Sequence, residues 1–294
     1  MLNFNKKIFD YIIHFPSKLF FPLLKKNKKV NKIFSEFGFI HNKCVLENKN
    51  LANEINMVLS KLDIKKIIDK EIKVNPKIYS LDIFEYLDIR LKLKINNFFN
   101  NTEKNNYISS MLGIRAKFRK VILIVNFYNE QTLEHDGPKM FHRDSDSLQD
   151  QVKIFMLIND IDSRNGMFYF VPKNFINDDY KVPFESDRLG MELRNKWRNY
   201  DKTVLACIKN ININQSPIMN LQGIQGEMLY IDTGKLYHKG GYISELNKKR
   251  FLLQAVYTPI LSLSNWNSSR NLISKFLQNK LTSLRIKLMR TIKV

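Results

Sequence analysis

The spacing of apolar residues changes near Phe118, and this change limits the fold more than any other feature of the 294-residue chain. Before that point, apolar side chains recur at helical spacing. After it, short runs of β-branched and aromatic residues follow one another, as in strands. Helices followed by strands predict an α+β protein with helices packed outside a sheet. The predicted strands cover residues 121–128, 152–158, 167–171, 228–231 and 251–257.

Two segments in the first third of the chain have apolar residues on one helical face. The second of them follows Ser80, a residue type that favours the N-cap position of a helix. We therefore expect two helices outside the sheet. The first apolar face contains Leu51, Ile55, Val58, Leu59 and Leu62, and the second contains Phe84, Leu87, Leu91 and Ile95.

A His-x-Asp triplet lies between the first two predicted strands. In an extended segment the side chains at i and i+2 share a face, so His142 and Asp144 can point into one cavity while Arg143 points away. Two imidazoles and one carboxylate can bind Fe(II) on one face of its octahedron and leave the other positions open. The nearby pair His135-Asp136 is a rival, but adjacent residues of an extended chain point to opposite faces.

An isolated His-x-Asp is usually an ordinary surface pair, so the residues around the triplet decide its meaning. Several blocks occur in a fixed order along about residues 34–260: Phe34-x-x-x-Gly38-Phe39, the triplet, Asn165-Gly166, Val171-Pro172, Gly226, Asp232-Thr233, His238, Gly240-Gly241 and Arg250. This order resembles the phytanoyl-CoA dioxygenase-like family of Fe(II)/2-oxoglutarate oxygenases. The chain departs from the family at residues 173–175, where Lys-Asn-Phe replaces the usual Gly-Ser-His in a loop.

The resemblance implies a double-stranded β-helix, a cupin-like jelly roll with two facing sheets, the metal between them and N-terminal helices outside. It implies that His142, Asp144 and His238 are the catalytic ligands of Fe(II). It also implies that Arg250 binds the distal carboxylate of the cosubstrate 2-oxoglutarate. A guanidinium can bind a carboxylate through two parallel hydrogen bonds, which the neighbouring lysines 248 and 249 cannot do.

Two residues on the strand before the triplet, Asn126 and Tyr128, occupy positions where family members often contact 2-oxoglutarate. They are candidate cosubstrate contacts, and a purely structural role is an equal alternative. The implied reaction is hydroxylation of a small-molecule, lipid or glycan-type substrate by dioxygen, with release of succinate and carbon dioxide. The alternatives are a non-catalytic membrane-surface binding protein on the same fold and a nucleic-acid-directed oxygenase.

The positive charge lies mainly at the two ends of the chain. The formal net charge is +20, residues 1–33 contain eight lysines and one aspartate, and residues 262–294 contain seven basic residues and no acidic one. This distribution argues against a basic nucleic-acid groove in the middle of the chain.

Cys44 and Cys207 form no C-x-x-C pattern, and no apolar run approaches the roughly 20 residues of a spanning helix. We expect a cytoplasmic protein, either free or peripheral to a membrane.

The charge pattern and the resemblance together divide the chain into three parts: a basic extension at 1–33, an implied oxygenase domain at 34–262 and a basic amphipathic helix at 263–294. The polar stretch 174–212 lies where the family inserts a substrate-covering segment, so the resemblance implies a lid or specificity insert there. The C-terminal helix has an apolar stripe beside basic residues, a pattern that suits an anionic membrane surface. Docking on the domain with a solvated basic face explains the same pattern, and the two interpretations stay open.

Overall fold

A computed structural model describes residues 27–132, 141, 142, 144, 151–176 and 218–259. The rival pair at 135–136, most of the predicted insert at 174–212 and the C-terminal segment 263–294 lie outside the described residues. The predictions made for those segments therefore stay predictions.

In the part of the chain that the structure describes, five α-helices pack around the first strands. Asparagine or aspartate side chains begin four of them, because their oxygens accept the hydrogen bond of a backbone N–H three residues later; the caps are Asn27, Asp63, Asp88 and Asn101. No helix in the described part of the chain is long and apolar enough to cross a membrane. The helices are α1 (Lys28–Phe37), α2 (Leu46–Leu59), α3 (Ile64–Val74), α4 (Ile89–Phe99) and α5 (Thr102–Leu112).

The second predicted helix begins later than its apolar pattern indicated. Ser80 was predicted as the N-cap, and this was wrong: Ser80 lies in a short strand and pairs with Asn126. Pairing with the sheet satisfies the backbone there, so the helix α4 starts only after Asp88, whose carboxylate accepts from the N–H of Leu91 at 2.8 Å. Phe84 belongs to a single 3-10 turn before it.

The described residues include nine strands in two antiparallel sheets. The larger sheet has the order β1-β7-β4-β9-β3-β2, and the smaller has the order β6-β5-β8. The strands are β1 (Phe39–Asn42), β2 (Ser80–Asp82), β3 (Ala116–Phe127), β4 (Val152–Leu157), β5 (Phe168–Phe170), β6 (Met219–Leu221), β7 (Met228–Ile231), β8 (His238–Gly240) and β9 (Lys249–Pro259).

The chain passes back and forth between the two sheets. Strands β3, β4, β7 and β9 lie in the larger sheet, and the segments between them contribute β5, β6 and β8 to the smaller one. An isolated antiparallel bridge between His142 and His238 adds a fourth segment to the smaller sheet, beside β8. Two facing sheets joined by such alternation form the double-stranded β-helix, which confirms the predicted fold class.

The alternation of side chains along the strands creates two apolar cores, one on each face of the larger sheet. On β4, Ile154 and Met156 belong to the core shared with the helices. Phe155 and Leu157 belong to the core between the sheets. Phe155 contacts Phe168 of the smaller sheet, with ring centroids 4.8 Å apart. The face that carries Phe155 therefore lines the interior between the sheets.

Helix α4 provides a test of the core that the larger sheet shares with the helices. Ile95 is fully buried, whereas Leu93 on the same helix is 55% exposed. We expect Ile95→Ala to lower the free energy of unfolding by about 2–5 kcal/mol, because it removes packed methyl groups and leaves a cavity. Leu93→Ala should change it by no more than about 0.5 kcal/mol. Urea unfolding followed by circular dichroism measures both, and equal losses would contradict this packing.

Candidate metal centre

Backbone pairing brings the His-x-Asp triplet against a segment almost a hundred residues later in the chain. The N–H of His142 donates to the carbonyl of His238, and the N–H of His238 donates to the carbonyl of His142, both at 2.9 Å. The N–H of Asp144 donates to the carbonyl of Thr233, also at 2.9 Å. These three bonds fix the extended segment that carries His142 and Asp144 along the segment that ends at His238.

The three predicted ligands meet between the sheets. Oδ1 of Asp144 lies 3.7 Å from Nε2 of His238 and 3.9 Å from Nε2 of His142. One ligand atom from each residue lies within 4.8 Å of the others. Small side-chain movements would let one ion with bonds of about 2.1 Å bridge these atoms. The donor set, two imidazoles and one carboxylate, suits a first-row transition metal.

His238 presents the nitrogen that a metal would need. Its Nδ1 lies 3.1 Å from the carbonyl oxygen of Leu236, which can only accept, so Nδ1 carries the proton and Nε2 exposes its lone pair. Burial lowers the pKa of His238 below its ordinary value, although the Asp144 carboxylate opposes the shift. The imidazole is therefore neutral at physiological pH, which is the form that binds metals.

Asp144 is held ionised by a lysine that the sequence analysis did not identify. Nζ of Lys153 lies 2.5 Å from Oδ2 of Asp144. Burial opposes ionisation of this carboxyl, but the Lys153 ammonium, followed by the two imidazoles, outweighs burial and holds the pKa of Asp144 well below its usual range. The missed signal is the position of Lys153 in β4, two residues before the interior-facing Phe155 in a strand of otherwise apolar residues.

The segment that precedes His238 packs against the end of helix α1, near the start of the domain. Gly38 ends helix α1 with a φ of 78°, and a Cβ there would lie 2.7 Å from Cδ2 of Leu236. The N–H of Asp232 donates to the carbonyl of Gly38 at 2.9 Å. The Phe34-x-x-x-Gly38-Phe39 block therefore packs against the turn that leads to His238, although it is distant in sequence.

Arg250 lies between the sheets on β9, directly opposite Asn126 on β3. Its Nε and Nη2 donate to Oδ1 of Asn126 at 3.1 and 3.0 Å, and its Nη1 donates to the carbonyl of Gly166. Burial lowers the pKa of Arg250 to about 10, so the guanidinium keeps its charge at neutral pH. Among the described residues, no carboxylate forms an ion pair with it. A buried guanidinium whose partners among the described residues are all neutral is suited to binding an anionic ligand.

Two glycine-containing loops bring the Arg250 region close to the metal ligands. Gly166 has a φ of 80°, and a Cβ there would lie 2.8 Å from the carbonyl oxygen of Gly241. A Cβ on Gly241 would lie 2.1 Å from the carbonyl oxygen of Met167. Only glycines allow this approach. The turn that accepts the hydrogen bond of Arg250 therefore packs on the segment that immediately follows His238.

The two other predicted cosubstrate contacts have structural partners. Oδ1 of Asn126 accepts two hydrogen bonds from Arg250, so this amide orients the guanidinium. The ring of Tyr128 packs edge-on against Tyr242, with centroids 6.2 Å apart. Their contact with 2-oxoglutarate stays a prediction.

No protein-family model and no curated protein sequence matches the chain. It is similar in structure to AviO1 from Streptomyces viridochromogenes Tue57, with 14% identity over 80% of this chain and 96% of that one and a TM-score of 0.50. It is also similar to SnoN, a non-heme α-ketoglutarate-dependent epimerase from nogalamycin biosynthesis, with 11% identity over 78% of this chain and 82% of that one and a TM-score of 0.48. At these identities, the similarity to AviO1 supports the fold.

If the cluster is the metal site, replacing a histidine inside it should affect metal binding and replacing one outside it should not. Purified protein should bind one Fe(II) or Mn(II), and His142→Ala or His238→Ala should abolish binding, because two of three ligands form an incomplete face. His41→Ala is the matched control, since His41 contacts Glu227 at 3.0 Å and belongs to no part of the cluster. Anaerobic calorimetry measures each affinity, and unchanged binding in both cluster variants would exclude this site.

Proposed function

We propose that the protein is an Fe(II)/2-oxoglutarate-dependent oxygenase, similar to the phytanoyl-CoA dioxygenase-like family, that hydroxylates a small-molecule, lipid or glycan-type substrate. One observation carries the proposal: a His-Asp-His cluster and a buried arginine with no acidic partner among the described residues lie inside the same double-stranded β-helix. A metal-binding cluster alone fits many proteins. A binding protein without catalysis would not require both features.

In this proposal His142, Asp144 and His238 hold Fe(II). The neutral imidazoles and the single carboxylate neutralise only half of its charge, so the remaining positions favour an anionic ligand such as a 2-oxo acid. When bound, the iron supplies the site at which 2-oxoglutarate and dioxygen bind and through which one oxygen atom enters the substrate while 2-oxoglutarate is converted to succinate and carbon dioxide.

Arg250 binds the distal carboxylate of 2-oxoglutarate. Nη1 and Nη2 each donate one hydrogen bond within the protein, to Gly166 and Asn126, and each retains a second N–H. Those two remaining donors match the two oxygens of one carboxylate. Because Asn126 already fixes the plane of the guanidinium, the protein pays little ordering entropy when the cosubstrate binds.

The apolar interior keeps water away from the candidate centre. Phe168 lies beside His238, with ring centroids 5.5 Å apart, and Phe155 packs on Phe168 from the opposite sheet. Leu252, two residues after Arg250 and on the same face of β9, is also buried between the sheets. Exclusion of water strengthens the interaction of each charged group in the site with its ligand.

The direct test of the function is turnover of 2-oxoglutarate. Protein supplied with Fe(II), ascorbate, dioxygen and 2-oxoglutarate should form succinate in the presence of some fraction of a metabolite extract, together with a product heavier by one oxygen atom. His41→Ala should retain this activity, and His238→Ala should lose it. If metal-loaded wild-type protein fails to bind 2-oxoglutarate in calorimetry, the proposed function is wrong whatever the extract contains.

Arg250→Ala should weaken the binding of 2-oxoglutarate by about 1.5–3 kcal/mol, the usual contribution of a hydrogen bond to a charged group. Mn(II) affinity should be nearly unchanged, which also reports that the variant is folded. Lys249→Ala is the matched control, because it removes the neighbouring positive charge. If Lys249→Ala weakens 2-oxoglutarate binding and Arg250→Ala does not, Lys249 and not Arg250 binds the distal carboxylate.

A further inference from the structure

Lys153 is a charged residue in β4, a strand whose other residues are all apolar. It lies on β4 between Ile231 of β7 and Val256 of β9, its neighbours in the sheet. Its side chain is 16% exposed and points to the same side of the sheet as Phe155. A largely buried ammonium is costly unless it is paired, and its partner is Oδ2 of Asp144 at 2.5 Å.

The two oxygens of Asp144 have different surroundings. Oδ1 faces the imidazoles, at 3.7 Å from Nε2 of His238 and 3.9 Å from Nε2 of His142. Oδ2 is the oxygen that Lys153 binds. The carboxylate therefore offers one oxygen to the metal position, and the lysine occupies the other.

We propose that Lys153 is a positioning residue that keeps Asp144 bound to the metal through Oδ1 alone. The inference rests on the proposed function for the identity of the metal and of the ligands that would fill its open positions. Carboxylates bind metals through one oxygen or through both, and a partner outside the metal's own ligand shell decides between the two modes. With Oδ2 held by an ammonium, the second oxygen cannot approach the metal without breaking a charged hydrogen bond.

The binding mode matters because the coordination positions are few. An octahedral ion has six, of which the three protein ligands use three when each donates one atom. A 2-oxo acid that chelates the metal takes two more, and dioxygen takes the last. If Asp144 bound through both oxygens, it would occupy a position that one of these two requires. Lys153 thereby preserves the third open position.

The alternative is that Lys153 merely supplies the positive charge that a bound metal would otherwise supply. The metal would then displace the lysine from Asp144, and the residue would have no influence on how the loaded carboxylate binds. The two interpretations differ in one measurable quantity, the number of water molecules on the metal when no cosubstrate is present. The first predicts that this number depends on a hydrogen-bond donor at position 153, and the second predicts that it does not.

The experiment counts waters on Mn(II) bound to the full chain, by EPR line broadening in ¹⁷O-enriched water and by water-proton relaxation. In Lys153→Met the carboxylate is free to bind through both oxygens, so the water count should fall by about a third, from three open positions to two. Lys153→Arg retains a charged donor and should keep the wild-type count. Lys117→Met, which removes an exposed lysine of β3, controls for the loss of one charge.

Metal affinity should be retained or raised in Lys153→Met, because a repelling charge is removed and a second oxygen becomes available. The affinity of the Mn(II)-loaded variant for 2-oxoglutarate should fall, and Lys153→Arg should restore it. An unchanged water count in Lys153→Met overturns the inference, as does a lowered count in Lys153→Arg. Loss of Mn(II) binding in Lys153→Met alone also overturns it, because the lysine would then be needed for ligation itself.

The water count uses neither 2-oxoglutarate nor dioxygen, so it is independent of the proposed reaction. If wild-type protein does not bind 2-oxoglutarate, the proposed function fails while the role of Lys153 is still decided by the count. If the count does not depend on residue 153, the positioning role fails while turnover by the wild-type protein is unaffected.

Discussion

The reciprocal hydrogen bonds between the backbones of His142 and His238 are the interaction on which the candidate site depends. They join two segments that are far apart in the chain, and they place the imidazole rings 4.4 Å apart between the two sheets. Backbone pairing places no requirement on the side chains, so it is compatible with imidazole rings at both positions. The bond from Asp144 to Thr233 continues the same pairing and adds the carboxylate. The ligand geometry is thus a consequence of strand pairing.

The buried charges explain why these side chains adopt their observed contacts. An isolated charge between two apolar sheets is unfavourable. The charged residues there differ in the partners that compensate for their burial. Asp144 and Lys153 neutralise each other. Arg250 has only neutral partners among the described residues, Asn126 and Gly166, and its hydrogen bonds compensate for burial without supplying a negative charge. This difference is the reason that Arg250, and not Lys153, is the proposed binding site for an anionic cosubstrate.

The sequence predicted the strands with a continuous apolar signal better than the short strands of mixed composition, and the three residues predicted as ligands lie close together in the structure. The run at 228–231 matches β7 residue for residue, because its strand is buried on both faces and its apolar signal is continuous. The strands β6 and β8 have three residues each and a mixed composition, so they depend on pairing with neighbouring segments: both pair with β5, and β8 also pairs with His142. Ser80 was misread because local capping preference cannot show that a distant strand competes for the same backbone. Lys153 was overlooked because its partner is fixed by tertiary structure.

Backbone contacts connect the two halves of the candidate site, the metal-ligand cluster and Arg250. Arg250 donates to the carbonyl of Gly166, and Gly166 packs on Gly241, three residues after His238. The distance between the guanidinium and the metal ligands is therefore set by close packing of two loops rather than by flexible side chains. In the proposed function, a cosubstrate that reaches the metal with one end and Arg250 with the other would require such a fixed span, because a small error in spacing would remove one of the two contacts. The glycines of the Asn165-Gly166 and Gly240-Gly241 blocks provide it, and this explains why these residues accompany the His-x-Asp triplet in the sequence.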